Sequence, residues 1–218
     1  MPYTLNIASG VTSPDLRALA VAGGWDGAGK LTVNITASYV AALSVPSAAS
    51  APFPGGLLIK IGSGSTIGAT SSLTALTVAQ AISIDNGGVI AGRGGNGGDG
   101  GWAQLGPADG GNRAWGGAGG TGQYLSSSTP PSLVGPTSGS PGQTVYGPGS
   151  PPYSATGGYG GTGGGLGYSG DGGSFGSTNS PGGSVQMTLN PGYGPGPAIS
   201  GNSYITWVTA GTVRGSVS

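Results

Sequence analysis

The sequence contains no cysteine, histidine or glutamate, and only 6% of its 218 residues are charged. Without Cys there is no disulfide, thiolate metal site or Cys nucleophile. Without His the usual general base, the Ser-His-Asp triad and the commonest transition-metal ligand are missing. The carboxylates are all Asp and stand singly along the chain, at Asp15, Asp26, Asp85, Asp99, Asp109 and Asp171. The sequence therefore predicts a protein that is not an enzyme and that binds no metal and no cofactor.

Long apolar runs and basic clusters are missing as well. No apolar stretch reaches the roughly 20 residues of a membrane-spanning helix, and no basic patch favours nucleic acid. The first ten residues, MPYTLNIASG, have neither the basic region nor the long apolar core of a signal peptide. We expect no nucleic-acid partner and no membrane insertion.

Glycine is what the sequence has in excess, with 52 residues beside 17 prolines. Such a composition is typical of disorder, but disordered chains are rich in charge and poor in aromatics, whereas this one has nine Tyr and four Trp. Forty of the 52 glycines lie between Gly87 and Gly201. This distribution predicts a β-rich unit at 1–86, a glycine-rich domain at 87–201 and a C-terminal β-strand at 202–218.

The first 86 residues have the patterns of a small β unit with one short helix. SPDLRALAVAGGW predicts that helix, with Ser13 or Asp15 as its N-cap and a Gly-Gly pair at its end. KLTVNITASYVAAL alternates apolar and polar residues as a half-buried strand does, and GLLIKIGSGSTIGA and LTVAQAISID repeat the alternation.

The C-terminal residues NSYITWVTAGTVRGSVS return to strand character. Gly211 is expected to bend this strand, and Trp207 is expected to anchor it in a core. Two placements stay open, because the ends of the chain either share one sheet or lie at opposite ends of the glycine-rich block.

Within the glycine-rich domain the glycines recur at every third residue. They stand at 92, 95, 98 and 101, and again at 158, 161, 164, 167, 170, 173 and 176. Three residues per turn is the repeat of the polyproline II conformation, and glycine lets such helices pack side by side because no Cβ intervenes. Their backbone groups must bond to neighbouring helices. We therefore expect a sandwich of polyglycine II helices with long loops.

The length of the second run adds a prediction. At ~3.1 Å per residue, residues 156–175 would extend for roughly 60 Å, whereas a compact domain of this size is roughly 35 Å across. The run should therefore double back near GGGLGYSG, while GRGGNGGDGG fits a single crossing.

Loops rich in Tyr, Trp, Ser and Gly separate the periodic runs, and this is the composition of binding loops. The alternative is that some of these aromatics cover a glycine core that has no side chains of its own. The candidate binding residues are Trp102, Trp115, Tyr124, Tyr146, Tyr153, Tyr168 and Tyr193.

The sequence resembles glycine-rich tail-fibre and tail-tip proteins of tailed bacteriophages. The resemblance rests on AISIDNGGVIAGRGGNGGDGG, on the triplet glycine block and on the closing NSYITWVTAGTVRGSVS, and it covers roughly residues 80 to 218. The block is similar to the polyglycine II adhesins at the tip of T-even-type long tail fibres. The resemblance implies a virion protein at the distal end of the tail, whose loops bind a host-surface glycan or outer-membrane protein.

Docking, oligomeric state and alternative functions are considered beside this resemblance. The N-terminal unit does not resemble the attachment domain of those adhesins, but we expect it to be the docking or attachment unit that binds other tail proteins, in either a trimer or a monomeric cap. A structural tail-tip or baseplate component without direct receptor binding is the alternative function. An ice-binding lattice would need a regular Thr array, and a calcium β-roll would need a large apolar residue at Gly101 and tandem repeats, neither of which the sequence has. A phosphate-binding loop is disfavoured because no helix follows the glycines.

Overall fold

The computed structural model of the protein describes residues 1–149 and 152–218. Residues 150 and 151, which fall in the loops predicted between the two periodic glycine runs, lie outside the described residues. The chain is mostly β-structure with one short α-helix, α1 (Leu16–Ala22), as the sequence predicts. Single turns of 3-10 helix occur at Pro107–Asp109 and Asn202–Tyr204.

The strands are short, and many have only two or three residues. The first ten are β1 (Tyr3–Ile7), β2 (Val11–Thr12), β3 (Leu31–Ile35), β4 (Tyr39–Ala41), β5 (Leu43–Val45), β6 (Leu57–Ile61), β7 (Thr66–Gly68), β8 (Leu76–Val78), β9 (Ile82–Asn86) and β10 (Val89–Ala91). The others are β11 (Ala103–Gln104), β12 (Arg113–Ala114), β13 (Tyr124–Leu125), β14 (Leu133–Val134), β15 (Thr144–Gly149), β16 (Pro152–Thr156), β17 (Ser177–Thr178), β18 (Ser184–Val185), β19 (Pro197–Ser200), β20 (Ile205–Thr209), β21 (Thr212–Arg214) and β22 (Ser216–Val217).

Three parallel sheets contain the strands on both sides of the glycine-rich region. Their strand orders are β1-β3-β6-β9-β20, β2-β4-β7-β10-β21 and β22-β19-β8-β5. Successive strands of the chain pass from one sheet to the next, so the chain winds in coils, with β3, β4 and β5 forming one coil and β6, β7 and β8 the next. β9 and β10 begin a third coil, and β19 completes it by pairing with β8 after the whole glycine-rich region. β20, β21 and β22 form the last coil.

The alternation of apolar residues explains the coils. Val33 pairs in register with Ile59, and Ile59 pairs with Ile84, so apolar side chains stack on one another inside the coils, where all three are fully buried. The first sheet contains both β1 and β20. The ends of the chain therefore share one sheet, which the sequence had left open.

Helix α1 follows the second strand and has the predicted cap. Oδ1 of Asp15 accepts a hydrogen bond from the backbone N–H of Ala18 at 2.9 Å, and the helix ends at Gly23. Leu16 and Ala20 are buried in the core of the coils. The predicted helix is thus confirmed, and of the two candidate N-caps, Ser13 and Asp15, the structure has Asp15.

Asn86 links the third coil to the last coil. It is fully buried, its Nδ2 donates to the carbonyl oxygen of Ala210 at 2.8 Å, and its Oδ1 accepts from the N–H of Gly88 at 3.0 Å. Gly211 adopts a φ of 56°, and a Cβ there would overlap the carbonyl oxygen of Asn86. The predicted bend at Gly211 therefore needs glycine both for its dihedral angle and for its close approach to Asn86.

The chain groups into two compact units with bounds that differ from the three predicted segments. Unit 1 comprises Met1–Arg93, Tyr124–Val134 and Gly196–Ser218, and unit 2 comprises Gly94–Gln123 and Gly135–Pro195. The C-terminal strands belong to unit 1 because they continue its parallel sheets.

The hairpin of β13 and β14 also belongs to unit 1, although it lies within the glycine-rich part of the sequence. Leu125 is fully buried, its N–H donates to the carbonyl oxygen of Ala69 at 2.9 Å, and its side chain occupies the space that a Cβ at Gly68 would take. The apolar contact of one leucine therefore assigns this hairpin to the coils.

Unit 2 is built around extended segments that are neither helix nor strand. Backbone hydrogen bonds of 2.7–2.9 Å join segments 94–101, 115–123 and 157–164 in a closed triangle, and successive donors are three residues apart. Segment 168–176 bonds to the first of these at the same interval, and segment 137–143 bonds to the other two. The period of three in the sequence is therefore the period of the hydrogen bonds.

The run of seven glycine triplets doubles back, as its length predicts. The N–H groups of Asp171 and Ser174 donate to the carbonyl oxygens of Thr162 and Tyr159, both at 2.8 Å, so the two halves run antiparallel. Gly167 lies in the turn and has a φ of 72°. The region 94–101 makes a single crossing.

Close approach of backbones explains the glycines within the segments. A Cβ at Gly97 would overlap the carbonyl group of Gly161 in the neighbouring segment. The residues between the glycines have another role, since Oδ1 of Asn96 and Oδ1 of Asp99 accept hydrogen bonds from the N–H groups of Gly122 and Gly119, at 3.2 and 2.9 Å. Side-chain oxygens thus satisfy N–H groups of the adjacent segment.

Candidate functional site

The registers of the extended segments give unit 2 two ends. One end contains the bonded pair Gly158 and Gly101, and the other contains the bonded pair Gly164 and Gly95. We call the former the aromatic end, because the chain beyond it contains four of the seven candidate residues: Trp102, Trp115, Tyr146 and Tyr153.

Two tryptophans at the aromatic end share one cation. The guanidinium carbon of Arg113 lies 4.3 Å from the ring centroid of Trp102 and 5.2 Å from that of Trp115, and Nη2 of Arg113 donates to Oε1 of Gln104 at 3.2 Å. β11 and β12 pair antiparallel, with Gln104 opposite Arg113, which brings the tryptophans together. Trp115 is 56% exposed, whereas Trp102 is half-buried. The guanidinium of Arg113 therefore holds the two indoles close to one another.

A pocket of about 330 Å³ opens beside the two indoles. Its polar side chains come from Asp99, Gln186 and Asn190, and backbone of the glycine segments forms the rest of its wall. Arg113 does not line it. Oδ1 of Asp99 is bonded to the N–H of Gly119, which leaves Oδ2 without a hydrogen bond among the described residues.

Tyr146 and Tyr153 lie on paired strands where the sequence predicts loops. β15 pairs antiparallel with β16, and β16 pairs with β17, in a small sheet that continues beyond the aromatic end. Tyr146 is 68% exposed. Tyr153 packs against a small core made of Ala103, Leu105, Ala114 and Ala155. Tyr146 is thus available for contacts, whereas Tyr153 contributes to the packing of this small alanine and leucine core.

The other three candidates lie elsewhere. Tyr168 and Tyr193 belong to the opposite end of unit 2, where the carbonyl oxygen of Tyr168 accepts from Gly95 and the N–H of Tyr193 donates to Asn96. Tyr124 lies on β13 in unit 1. The structure therefore does not bring the seven predicted residues together in one site, because the antiparallel segments send alternate connections to opposite ends.

Sequence reasoning missed several exposed side chains at the aromatic end. Tyr159, Phe175 and Met187 are 61%, 54% and 83% exposed. Tyr159 follows Gly158 and Phe175 follows Ser174, and both Gly158 and Ser174 are hydrogen-bonded to Gly101. Because both aromatics lie inside the glycine run, the sequence assigns them to the scaffold. The sequence signal that could have identified them is a large aromatic residue between the glycines of a triplet, where a small residue is usual.

A buried polar contact holds the connections of the aromatic end in place. Oγ of Ser180 donates to Oδ2 of Asp109 at 2.5 Å and accepts from the N–H of Gly106 at 2.6 Å, and all three residues are buried. The contact joins the connection before β12 to the connection before β18. These loops are therefore fixed, and an aromatic surface on them is preorganised.

Charged groups elsewhere are few. In unit 1 the N–H groups of Gly29 and Ala28 donate to Oδ1 of Asp26, and the N-terminal ammonium lies 2.6 Å from Oδ2. The Gly29 hydrogen bond, followed by the bond from the ammonium, holds the pKa of Asp26 well below its ordinary value. Within 1–149 and 152–218, no three His, Cys, Asp or Glu side chains group as metal ligands, and no helix is long and apolar enough to cross a membrane.

The chain was also compared with known proteins and solved structures. A solved structure with some likeness to the chain is the crystal structure of the gp37-gp38 adhesin tip complex of the bacteriophage S16 long tail fiber. The match covers 100% of this chain and 82% of that chain at 16% identity, with a TM-score of 0.47. A search of curated proteins found no match.

A family model gives the stronger result. The model for the phage tail fibre adhesin Gp38 matches residues 2–218, which extends the resemblance from residues 80–218 to the N-terminal coils. It confirms the expected location in the virion, at the distal end of the tail. The chain belongs to the phage tail fibre adhesin Gp38 family.

Proposed function

We propose that the protein is a non-enzymatic adhesin that binds a host-surface receptor through the aromatic end of unit 2. The observation that carries this proposal is the clustering of exposed aromatic side chains there, with Trp115 and Tyr146 more than half exposed. Exposed aromatics on fixed connections provide large contact area at low entropic cost, as binding surfaces require. Binding, without any bond made or broken, is the mechanism.

We further infer that the extended segments of unit 2 are polyglycine II helices. Hydrogen bonds at every third residue and the closed triangle of three segments support this, because a helix with three residues per turn presents equivalent groups at that interval. Backbone chemical shifts measured by NMR test it. Dihedral angles near −75° and +145° are expected, and angles of ordinary parallel strands would contradict it.

Adsorption of phage to host cells tests the receptor-binding proposal. The purified protein is expected to compete with phage for the cell surface. The double variant Trp115→Ser and Tyr146→Ser should lose this competition, while the matched variant Tyr168→Ser and Tyr193→Ser, at the opposite end of unit 2, should keep it. If both double variants compete as well as the wild type, the aromatic end does not bind the host.

Docking onto another tail protein is the second part of the proposal, and we assign it to unit 1. Ile205, Trp207 and Val213 face the same side as fully buried residues of the third coil, yet they are only half-buried. An edge coil with partly exposed apolar residues is a surface that a partner with parallel strands can cover. The tip complex of phage S16 pairs gp38 with gp37, which agrees with a tail-fibre partner.

Co-purification with the tail-fibre protein encoded in the same phage genome tests the docking. Val213→Lys should abolish the complex, whereas Val208→Lys, an exposed residue on β20, serves as the control for added charge. A complex that survives Val213→Lys would exclude this coil as the docking surface. The structural alternative, a tail-tip component without receptor binding, is favoured if docking is found and cell binding is not.

A further inference from the structure

The pocket beside Trp102 and Trp115 has features of a carbohydrate site. We propose that it binds one ring of a neutral pyranose sugar, with the apolar face of the ring against the indoles and its hydroxyls on Asp99 and Asn190. This proposal rests on the proposed adhesin function and names the chemical class that one part of the aromatic end recognises.

The shape of the pocket is the first argument. A volume of about 330 Å³ lies at the lower end of the range for small-molecule sites, about 300–1,000 Å³, and suits a single ring and not a peptide segment. Its lining combines two indole rings with the polar side chains of Asp99, Gln186 and Asn190. A pyranose ring combines the same two kinds of surface, with C–H groups on one face and hydroxyls around its edge.

The hydrogen-bonding groups of the pocket are the second argument. Oδ2 of Asp99 has no hydrogen bond among the described residues, although Oδ1 is fixed by the N–H of Gly119. A carboxylate held by one oxygen and open at the other accepts strongly from hydroxyl groups. The amide of Gln186 is instead hydrogen-bonded within the protein at both ends. Its Oε1 accepts from the N–H of Trp102 at 3.4 Å, and its Nε2 donates to the carbonyl oxygen of Thr188.

Charge decides that the sugar is neutral. Asp99 is the charged residue that lines the pocket, and a carboxylate or phosphate on the ligand would meet it without a compensating cation. The nearby Arg113 does not line the pocket, and its guanidinium contacts the two indoles and Gln104. The pocket should therefore discriminate against acidic sugars.

Binding of defined monosaccharides to the full-length protein tests the proposal. The probes are the methyl glycosides of glucose, galactose and N-acetylglucosamine, with methyl glucuronide as the acidic comparison, and the measurement is saturation-transfer NMR supported by tryptophan fluorescence. At least one neutral glycoside should bind with millimolar affinity, with the largest transfer to ring C–H protons, and the glucuronide should bind several-fold more weakly.

Three variants sharpen the result. Trp115→Ala should weaken binding by about three- to tenfold, as expected for the loss of one aromatic stacking contact. Asp99→Asn keeps an oxygen for the N–H of Gly119, so the fold is retained, and it should reduce the difference between the neutral and the acidic sugar. Tyr193→Ala, at the opposite end of unit 2, should leave binding unchanged.

The outcomes separate this proposal from the proposed function. No transfer to any neutral glycoside, or an affinity that is unchanged in Trp115→Ala, overturns the sugar site. If cell binding then still requires the aromatic end, the adhesin function stands and its receptor is a protein. If glycosides bind in this pocket but the aromatic-end variants adsorb normally to cells, the sugar site stands and the adhesin function fails.

Discussion

Gly172 and Gly173 are neighbours in segment 168–176, yet only one of them needs to be glycine. A Cβ at Gly173 would overlap the backbone carbonyl of Asp99, whereas the nearest atom to a Cβ at Gly172 is the carbonyl oxygen of Asn190 at 3.6 Å, an ordinary contact. Both residues have φ outside the left-handed region. Alanine at the two positions therefore separates the packing of the segments from the dihedral preference of glycine.

The magnitude follows from what Gly173→Ala must displace. The backbone of segment 94–101 cannot yield without straining the hydrogen bonds from Gly98 to Asp171 and from Gly101 to Ser174, of 2.8 and 2.9 Å. Overpacking costs about 1–3 kcal/mol and each of the two lost hydrogen bonds costs about 0.5–1.5 kcal/mol, so we expect the free energy of unfolding to fall by about 2–6 kcal/mol. Gly172→Ala should be neutral or stabilise by about 0.4–1 kcal/mol, because alanine restricts the unfolded chain.

Thermal unfolding of the full-length protein, followed by calorimetry, measures both variants. Since 1 kcal/mol shifts Tm by about 4–8 °C in a domain of 60–100 residues, Gly173→Ala should lower the Tm of unit 2 by about 10 °C or more. Faster hydrogen exchange at residues 94–101 in Gly173→Ala would assign the shifted unfolding transition to unit 2. Equal Tm values for the two variants would refute the packing of glycine segments through backbone contact.

Three further predictions concern polar groups. Ser180→Ala should lower the free energy of unfolding by about 1–3 kcal/mol, because the buried N–H of Gly106 loses its acceptor, and urea unfolding measures this. Asn86→Ala should raise the hydrogen-exchange rate of the last coil selectively, because the buried amide joins that coil to the third. The lowered pKa of Asp26 means that its contribution to stability is fully present above its ordinary value of 3.8 and is lost as pH falls through the folded-state pKa. The Tm difference between wild type and Asp26→Asn should therefore shrink in acid.

Matched variants control these measurements. Ser184→Ala removes an exposed hydroxyl of the same unit as Ser180 and should change stability by less than about 0.5 kcal/mol. Asn6→Ala removes an exposed amide from β1 and should leave exchange in the last coil unchanged. A Tm difference for Asp26→Asn that grows as pH falls would contradict the lowered pKa.

The sequence was sufficient for features that depend on local periodicity. The cap at Asp15, the half-buried strand at 31–35 and the turn near Gly167 all follow from patterns within a few residues, because capping, burial of alternate side chains and the reach of an extended chain are local or geometric constraints. The period of three in the glycines also reappears in the hydrogen bonds between segments. The family, too, was recognisable from composition and motif.

Only the tertiary structure decided where these elements meet. β19 follows the glycine-rich region in the chain but pairs in parallel with β8, which precedes that region. A local sequence pattern cannot predict a partner so distant in the chain. Leu125 carries Tyr124 into unit 1 by filling the space beside Gly68, while alternating segment directions separate Tyr193 from Trp115. The sequence by itself determined two of the glycine segments, at 92–101 and 158–176, because their spacing is visible in the residues. Segments 115–123 and 137–143 were recognised only through their hydrogen bonds to the others, and 137–143 lies where a loop was predicted. The grouping of two tryptophans, an arginine and a pocket depended on the register between segments, which long-range hydrogen bonds and packing fix.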